Sequence, residues 1–464
     1  MKTRTRVLAV VLLAGVALGV YNSLAEAGTG SFYQYLRLFN EVLKKVQDTY
    51  VDETAVTPEK LMVGAINGML ATLGDPYTRL ISPTNYEEVR EDSVGEFGGL
   101  GIVVTMRDDE ITIVSPMAGT PAFKVGLRPG DRIVEIDGVS TTGMELNDAV
   151  KRMRGRPGTT VNLLIHRTGA ADFPVTVERA NIKHHTVEWQ DLGEGIGYIR
   201  LNQFNEHAGI DIRDALAELP QGSQLKGLIF DLRNNPGGLY EEAGIVVDVF
   251  MDSGLVVYTK GRDQVRRREI YCRNDGNEPR VPLVLLVNGG SASAAEIVTG
   301  AMKDNGRATV IGTRTFGKGI VQSVTNVSLG YGLSITTERY YTPSGVCIDK
   351  QGIEPHYTVT ADDIADTYVR ALVKINSSDT FISYVNRLSG FSEVAVIELR
   401  DLLRRDGVEL PDRLLRWTLR NQLAVKEGRA FVGDLESDRQ LRVAHDFLLG
   451  RPPVNETDTV PVNN

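Results

Sequence analysis

One segment constrains the fold more than any other part of this chain: an apolar strand followed by a glycine turn, a helix and a second strand. Val281–Val287 is apolar throughout, which is typical of a strand buried on both faces of a sheet. Asn288-Gly289-Gly290 then turns the chain, and the pattern predicts a helix from Ser293 to about Lys303 and a strand over Ala308–Ile311. Such a β-α-β unit makes its two strands parallel. At least part of the core is therefore a parallel sheet.

The composition is that of a globular protein with more than one domain. The 464 residues include 60 acidic and 51 basic side chains, giving a formal charge of −9, and 42% are hydrophobic. A chain of this length typically forms two or three domains. The acidic balance and the lack of a basic tract argue against nucleic acid as a partner. Two cysteines, Cys272 and Cys347, are too few for a disulfide scaffold or a cysteine-based zinc site.

Residues 1–27 have the features of a secretory signal peptide. Three basic residues within the first six positions are followed by an apolar run from Val7 to Val20 and by Ala25-Glu26-Ala27, a cleavage pattern. The run is shorter than the roughly 20 residues that span a membrane. We expect cleavage, with a retained anchor as the alternative. In both cases the protein is exported to the bacterial cell envelope, either the periplasm or the outer face of the inner membrane, where the two cysteines could be oxidised.

Residues 28–94 are predicted to be helical. Apolar residues recur at alternating steps of four and three along the first helix, namely Phe32, Leu36, Phe39, Leu43, Val46 and Tyr50. Thr57-Pro58-Glu59 then marks the start of a second helix, with an N-cap, a proline at the first helical position and an early acid. The apolar stripe packs within the chain or forms a dimer contact, and the sequence leaves both open.

Residues 95–182 alternate short strands with Gly/Pro turns. The loop Gly99, Leu100, Gly101, Ile102 enters a strand and resembles the carboxylate-binding loop of PDZ domains; a GLRPGD turn and a helix around Glu145–Met153 follow in that family's order. Glycines let successive backbone N–H groups point into one concavity, which suits the terminal carboxylate of a peptide. The strand after the loop offers its edge to an extended peptide.

Residues 183–360 are predicted to form an α/β core, and residues 361–464 a helical extension. In the core, the strand Gly227–Phe230 reaches Asp231 and runs into a turn that contains Gly237 and Gly238. The packing residues predicted in the extension are Leu414, Leu415, Trp417, Leu419 and Leu423. The fold class is thus multidomain α/β, with N-terminal helices, a PDZ-like β-rich domain, an α/β core with a β-α-β unit, and a helical C-terminal extension.

The turn before the core helix is the first candidate for chemistry. Ser291 and Ser293 lie where the helix begins, and a helix start presents unpaired N–H groups that suit a developing oxyanion. Serine is also a frequent helix cap, so a purely structural role is the alternative for both hydroxyls.

Lys318 is the available base for a serine. It follows the next strand, and the carboxyl ends of parallel strands open on one side, so Ser293 and Lys318 can converge there. Gln322 would share a face with Lys318 if the strand runs from Lys318 through Ile320 to Val324. Gly312–Lys318 also matches the start of a phosphate-binding P-loop. That interpretation requires Ser or Thr at the next position, which is Gly319, and a helix where the pattern is β.

Motifs between about residues 35 and 360 resemble those of the carboxyl-terminal processing proteases, also called tail-specific proteases. They are SASAAE, TFGKGIVQ, DLRNNPGG, YYTPSG, GIEPHYTV and DPYTRL. One departure is Val346-Cys347, since a basic residue usually follows YYTPSG. The resemblance implies a serine protease with a Ser–Lys dyad, in which Ser293 is the nucleophile, Lys318 the general base and Gln322 the residue that orients the lysine. The N–H groups of Ala294 and of Gly237 or Gly238 would form the oxyanion hole.

The function expected from this resemblance is an exported serine endopeptidase that recognises proteins at their C-termini and cuts them through an acyl-enzyme. A lysine with its ordinary pKa of about 10.4 is a poor base, and burial by Phe316 and the apolar strands would lower that pKa. The alternatives are a protease that is inactive until a partner or adaptor protein binds, and a PDZ scaffold that only holds peptides. Expected partners are proteins with free C-termini and, through the terminal helices, a second copy of the chain. No cofactor or metal is implied.

Overall fold

The computed structural model describes most of the chain after the predicted signal peptide, which lies outside the described residues. The described ranges are 32–107, 109–117, 119–128, 130–167, 169–183, 186–220, 224–263, 267–273, 276–361, 368, 371–372, 375, 378–405, 407–426, 433–451 and 460–461. Among the helices in these ranges, none is long and apolar enough to cross a membrane.

The chain divides into two compact units, and the smaller comprises the described residues up to Ser82 together with Val324–Ile335. Helix α1 covers residues 32–49 and α2 covers Pro58–Ala71, with Thr57 as its N-cap as predicted. Strand β1, Arg79–Ile81, pairs antiparallel with residues 332–334. Most of the predicted apolar stripe of α1 is exposed, including Phe32 at 62% and Leu36 at 41%, whereas Leu43 and Val46 are half-buried.

The larger unit begins with the β-rich region that the sequence assigns to a PDZ-like domain. Its elements are α3 (Pro83–Val94), β2 (Glu96–Gly99), β3 (Ile102–Arg107), β4 (Glu110–Pro116), α4 (Pro121–Lys124), β5 (Arg132–Ile136), β6 (Val139–Ser140), α5 (Leu146–Met153), β7 (Thr160–His166), β8 (Phe173–Glu178) and β9 (Ala180–Lys183). The main sheet has the order β3-β4-β5-β7-β8, while β2 pairs with β9. Strand β3 is therefore an edge strand of this sheet, as the peptide-binding interpretation requires.

The α/β core follows in the same unit, apart from Val324–Ile335, which belongs to the smaller unit and contains the end of one core strand and the start of the next. Its elements are β10 (Val187–Asp191), β11 (Ile196–Leu201), α6 (Ala208–Glu218), β12 (Gly227–Asp231), α7 (Tyr240–Phe250), β13 (Leu255–Gly261), β14 (Arg267–Tyr271), β15 (Leu283–Val287), α8 (Ala294–Asp304), β16 (Thr309–Gly312), β17 (Ile320–Asn326), β18 (Gly332–Tyr341) and β19 (Tyr357–Thr358). The central sheet has the order β10-β11-β12-β15-β16-β19-β20, where β20 is Val460–Pro461. Its pairs from β11 to β19 are parallel, which confirms the predicted β-α-β unit of β15, α8 and β16.

Both faces of the central sheet are covered. Alternate residues such as Phe230 and Leu285 pack with α6, α7 and α8, whereas Ile229 and Leu286 pack against the last helix of the chain. This alternation explains why β12 and β15 are apolar throughout.

The C-terminal extension is helical, as predicted. It contains α9 (Asp379–Arg387), α10 (Glu393–Arg405), α11 (Asp412–Lys426) and α12 (Arg439–Leu448). Four of the five predicted packing residues are buried and Trp417 is half-buried. Helices α9 to α11 share an apolar cluster of their own, while α12 contributes Leu441 and Ala444 to the face of the central sheet.

Candidate active site

Three loops meet at one edge of the central sheet. They follow β12, β15 and β16, which are adjacent and parallel, so their carboxyl ends open on the same side. The loop after β12 carries Gly237 and Gly238, the loop after β15 carries Ser293, and the loop after β16 carries Lys318. The structure therefore brings together the main site residues that the sequence identifies.

The two candidate serines have different environments. Ser291 is fully buried; its hydroxyl donates to the Leu232 carbonyl (2.7 Å) and accepts from the Asn288 N–H (3.0 Å), so it fastens one loop to the next. Ser293 is half-buried at the N-cap position of α8, with φ +57° and ψ −116°. A serine rarely adopts such a backbone conformation, and strained residues of this kind cluster at active sites. The structure thus separates a structural serine from a candidate nucleophile.

The glycine turn after β12 lies directly against Ser293. Gly237 has φ +97°, and its N–H donates to the Asn235 side chain (2.8 Å). The Asn235 carbonyl in turn accepts from the Ala292 N–H (2.9 Å). The N–H groups of Gly238 and Ala294 donate to no residue that the structure describes, so these two remain available for a ligand oxygen.

The lysine loop runs between the sheet and the turn that precedes β19. The positions on both sides of Lys318 leave no room for a side chain. A Cβ on Gly319 would lie 2.1 Å from the Asp349 nitrogen, and one on Gly317 would lie 3.0 Å from the Gly352 nitrogen. Strand β17 follows, so the helix required by the P-loop alternative is absent here. Phe316, expected to shield the lysine, is 59% exposed, which corrects that expectation; its backbone N–H instead donates to the Ser291 carbonyl (3.0 Å).

Gln322 lies on β17 with its side chain half-buried. The strand begins at Ile320, so Lys318 belongs to the preceding loop and the predicted common strand face does not apply. The Gln322 amide donates to the Thr336 hydroxyl at 3.4 Å, a long hydrogen bond.

Glu296 is a buried carboxylate that sequence analysis missed. Its Oε2 accepts from the N–H groups of Ser293 (3.0 Å) and Lys318 (2.8 Å), and its Oε1 accepts from the Thr315 hydroxyl (2.6 Å) and the Gly317 N–H (2.7 Å). Since both backbone nitrogens lie within 3.0 Å of Oε2, they are at most about 6 Å apart. Burial raises the pKa of Glu296 by more than these four hydrogen bonds lower it.

A second buried carboxylate, Asp231, anchors the glycine turn. It accepts from the Tyr198 hydroxyl (2.7 Å) and forms an ion pair with Arg233 (2.6 Å), which also binds Asp438 at the start of α12 (2.6 Å). Burial alone would raise the pKa of Asp231, but the charge and hydrogen bonds of Arg233, with the Tyr198 hydroxyl, hold it below its ordinary value. The C-terminal extension thereby reaches the base of the turn that carries Gly237.

The PDZ-like loop keeps its backbone donors available. Leu100 is buried, and its carbonyl accepts from Ala122, while the Gly101 carbonyl accepts from Met117 (2.8 Å). The N–H groups of Leu100 and Gly101 donate to none of the described residues. Loop and edge strand β3 therefore have the arrangement that a terminal carboxylate would use.

Three family models match the chain. They are Peptidase family S41 over residues 195–359, PDZ domain over 112–167 and Activating protease CtpB N-terminal domain over 22–83. A carboxy-terminal-processing protease of Bartonella bacilliformis is 40% identical over 354 residues, which are 75% of this chain and 80% of that protein. The chain belongs to the carboxyl-terminal processing protease family. Carboxy-terminal processing protease CtpA of Bacillus subtilis is 35% identical over 348 residues, covering 74% of this chain and 72% of that protein.

Among solved structures, a photosystem II D1 C-terminal processing protease is 30% identical, with a TM-score of 0.42, and the match covers 74% of this chain and 97% of that one. The described part of this chain holds no group of three or more His, Cys, Asp or Glu arranged for a metal ion. Its two cysteines, Cys272 and Cys347, are both free thiols.

The sequence did contain a signal for Glu296. Ser293 and Glu296 have the S-x-x-E spacing of a capping box, which ties an acidic side chain to the N-cap N–H. The bonds of Glu296 to Gly317 and Lys318 join segments that are distant in sequence, so no local pattern indicates them.

Proposed function

We propose that this protein is an exported serine endopeptidase that cleaves proteins recognised at their C-termini, with Ser293 as nucleophile and Lys318 as general base. The observation that carries the proposal is the attachment of both residues, through their backbone N–H groups, to one oxygen of Glu296. That bridge brings the two residues close together at the open edge of the sheet.

The reaction follows from these positions. Lys318 in its neutral form takes the Ser293 hydroxyl proton while the serine oxygen bonds to the scissile carbonyl carbon. The oxyanion accepts hydrogen bonds from the N–H groups of Ala294, at the start of α8, and Gly238. Gly238 is the better candidate of the two glycines because the Gly237 N–H already binds Asn235. The C–N bond then breaks, the amine leaves with the proton from Lys318, and water hydrolyses the acyl-enzyme with Lys318 again as base.

The PDZ-like domain supplies substrate recognition in this proposal. A substrate's terminal carboxylate binds the N–H groups of Leu100 and Gly101, and its last residues extend β3 as an added strand. The intact constellation at Ser293 favours an enzyme over a peptide-binding scaffold, which would have no use for it.

The terminal helix α1 supports self-association as part of this proposal. Most of its apolar residues stay exposed within the described chain, including Phe32 at 62% and Tyr35 at 69%. Pairing with the same helix of a second copy would bury them. Light scattering after size exclusion at micromolar concentration tests this, and a plain monomer would contradict it.

The proposed chemistry is tested by covalent labelling. A fluorophosphonate should modify the purified protein once, and peptide mass spectrometry should place the adduct on Ser293. The variant Lys318→Met should react far more slowly because it lacks the base. Equal labelling of Ser293→Ala would refute the nucleophile. If the protein reacts only after a partner is added, the adaptor-dependent alternative gains support.

A further inference from the structure

The carboxylate of Glu296 binds both proposed members of the dyad without being a member itself. It is fully buried on the first turn of α8, and all four of its hydrogen bonds come from the nucleophile loop and the lysine loop. One oxygen serves the N–H groups of Ser293 and Lys318, and the other serves Thr315 and Gly317.

A buried carboxylate is a costly way to hold two loops together. Removing charge from water is unfavourable, and only good hydrogen bonds offset that cost. The segment after β16 has no helix or strand of its own until Ile320, so the position of Lys318 depends on such bonds. Thr315 adds a second tie, because its hydroxyl also accepts from the Ile353 N–H (2.7 Å).

We propose that Glu296 is the positioning residue of the dyad: its ionised carboxylate fixes the backbone of Ser293 relative to that of Lys318, so that the lysine amine meets the serine hydroxyl. The inference rests on the proposed Ser–Lys chemistry and deepens it. Glu296 does not touch the substrate, so its loss should reduce the rate of the chemical step and leave substrate binding intact.

The variant Glu296→Gln tests this with little change in volume. A glutamine has one acceptor oxygen and one NH₂ donor, so in either orientation its NH₂ faces a backbone N–H that now binds the carboxylate. We expect kcat for a peptide substrate to fall on the order of 100-fold with KM unchanged, because displacing a catalytic group by about 1 Å can cost about 100-fold in rate.

Matched variants separate positioning from general damage. Glu242 is also a buried glutamate, on α7, and its carboxylate accepts from the Gly209 N–H (2.8 Å) without contacting the dyad. Glu242→Gln should keep kcat within about twofold. Thr315→Val should lower kcat because it removes a donor to Glu296, and Thr315→Ser, which keeps the hydroxyl, should restore it.

The outcomes distinguish this inference from the function on which it rests. If Ser293→Ala is inactive while folded Glu296→Gln keeps the wild-type kcat, the positioning role is wrong and the proposed nucleophile stands. If Glu242→Gln loses activity equally, the effect is not specific to the dyad and the inference also fails. If Ser293→Ala cleaves as well as wild type, the proposed function itself is wrong.

Discussion

Gly237 lies in direct contact with Ser293. A Cβ built on Gly237 would be 2.7 Å from the Cβ of Ser293 and 2.9 Å from the backbone nitrogen of Ala294. The glycine turn after β12 and the nucleophile loop after β15 are therefore fitted to each other at the level of the backbone. A glycine is required at this position by space and by its φ of +97°.

Gly237→Ala should consequently inactivate the protein. The added methyl group would push the turn away from Ser293, and displacement on the order of 1 Å can cost about 100-fold in rate. Gly306→Ala is the matched control: Gly306 also has positive φ (+67°), at the end of α8, but a Cβ there meets nothing within 4 Å. Peptide cleavage rates of the two variants would be compared. Similar, near-wild-type rates would contradict the fitted contact.

Peptide recognition at the PDZ-like loop gives a second prediction. Gly101→Ala places a Cβ 2.3 Å from Thr120, so the loop must shift and its N–H groups lose their direction. Binding of a fluorescent C-terminal peptide, measured by anisotropy, should weaken about tenfold or more, since the charge-assisted hydrogen bonds at stake contribute roughly 1.5–3 kcal/mol. Gly138→Ala, with φ +76° and open space around it, should bind normally. An amidated peptide that binds as tightly as the free acid would contradict carboxylate recognition.

The ion pair of Asp231 and Arg233 beneath the glycine turn should contribute to the stability of the fold. Asp231→Ala should destabilise the fold by about 3–5 kcal/mol, because it leaves a buried arginine without one partner and Tyr198 without its acceptor. Asp252→Ala, at an exposed position, should change it by less than about 0.5 kcal/mol. Urea unfolding followed by circular dichroism measures both, and equal midpoints would refute the role of Asp231.

The ion pair of Asp231 and Arg233 also makes the stability of the protein depend on pH. Because the pKa of Asp231 is lowered in the folded protein, its contribution is present above the ordinary value of 3.8 and is lost as the pH falls through the lower folded-state value. The difference in free energy of unfolding between the wild type and Asp231→Ala should therefore become smaller only in strong acid.

Glu296 behaves in the opposite way. Burial raises its pKa above the ordinary value of 4.5, so protonation of Glu296 favours the folded state. This contribution to the free energy of unfolding is fully present below pH 4.5 and is lost as the pH rises through the raised pKa. Acidification through that window should therefore abolish activity, by protonating the carboxylate, without unfolding the protein. Activity and circular dichroism recorded together from neutral pH downwards test this. Loss of both signals at one pH would contradict it.

The variant Glu296→Gln checks the same point, because its amide side chain cannot take up that proton. The residual activity of Glu296→Gln should therefore fall less steeply with acidification than the wild-type rate. An unchanged slope would show that Glu296 does not need its charge.

Much of this arrangement could be predicted from the chain alone because it is encoded locally. The fully apolar Val281–Val287, the glycine turn and the helix after Ser293 specify a β-α-β unit, and its parallel strands bring Ser293 and Lys318 to one edge. Gly99-Leu100-Gly101 at the start of an edge strand is likewise a local pattern. These expectations agree with the strands and loops observed.

The remainder depends on contacts between distant segments. The ion pair between Asp438 and Arg233 and the hydrogen bond from the Lys318 N–H to Glu296 form only when folding brings these distant segments together. Strand β17 starts at Ile320, two residues after the start that would place Lys318 and Gln322 on one face. The glycines on either side of Lys318 allow a close backbone approach instead, which strand propensity does not indicate. Phe316, expected from the sequence to help remove water from Lys318, is instead 59% exposed, because its loop directs the ring towards solvent.

The Ser293–Lys318 dyad is tested most directly by cleavage of a loosely folded protein such as casein by the purified protein, beside Ser293→Ala and Lys318→Ala. Ser253→Ala, at an exposed turn, is the control. We predict that both dyad variants lose cleavage by at least about 1,000-fold while their circular dichroism spectra match wild type and the control stays active. Cleavage at the wild-type rate by either dyad variant would contradict the account.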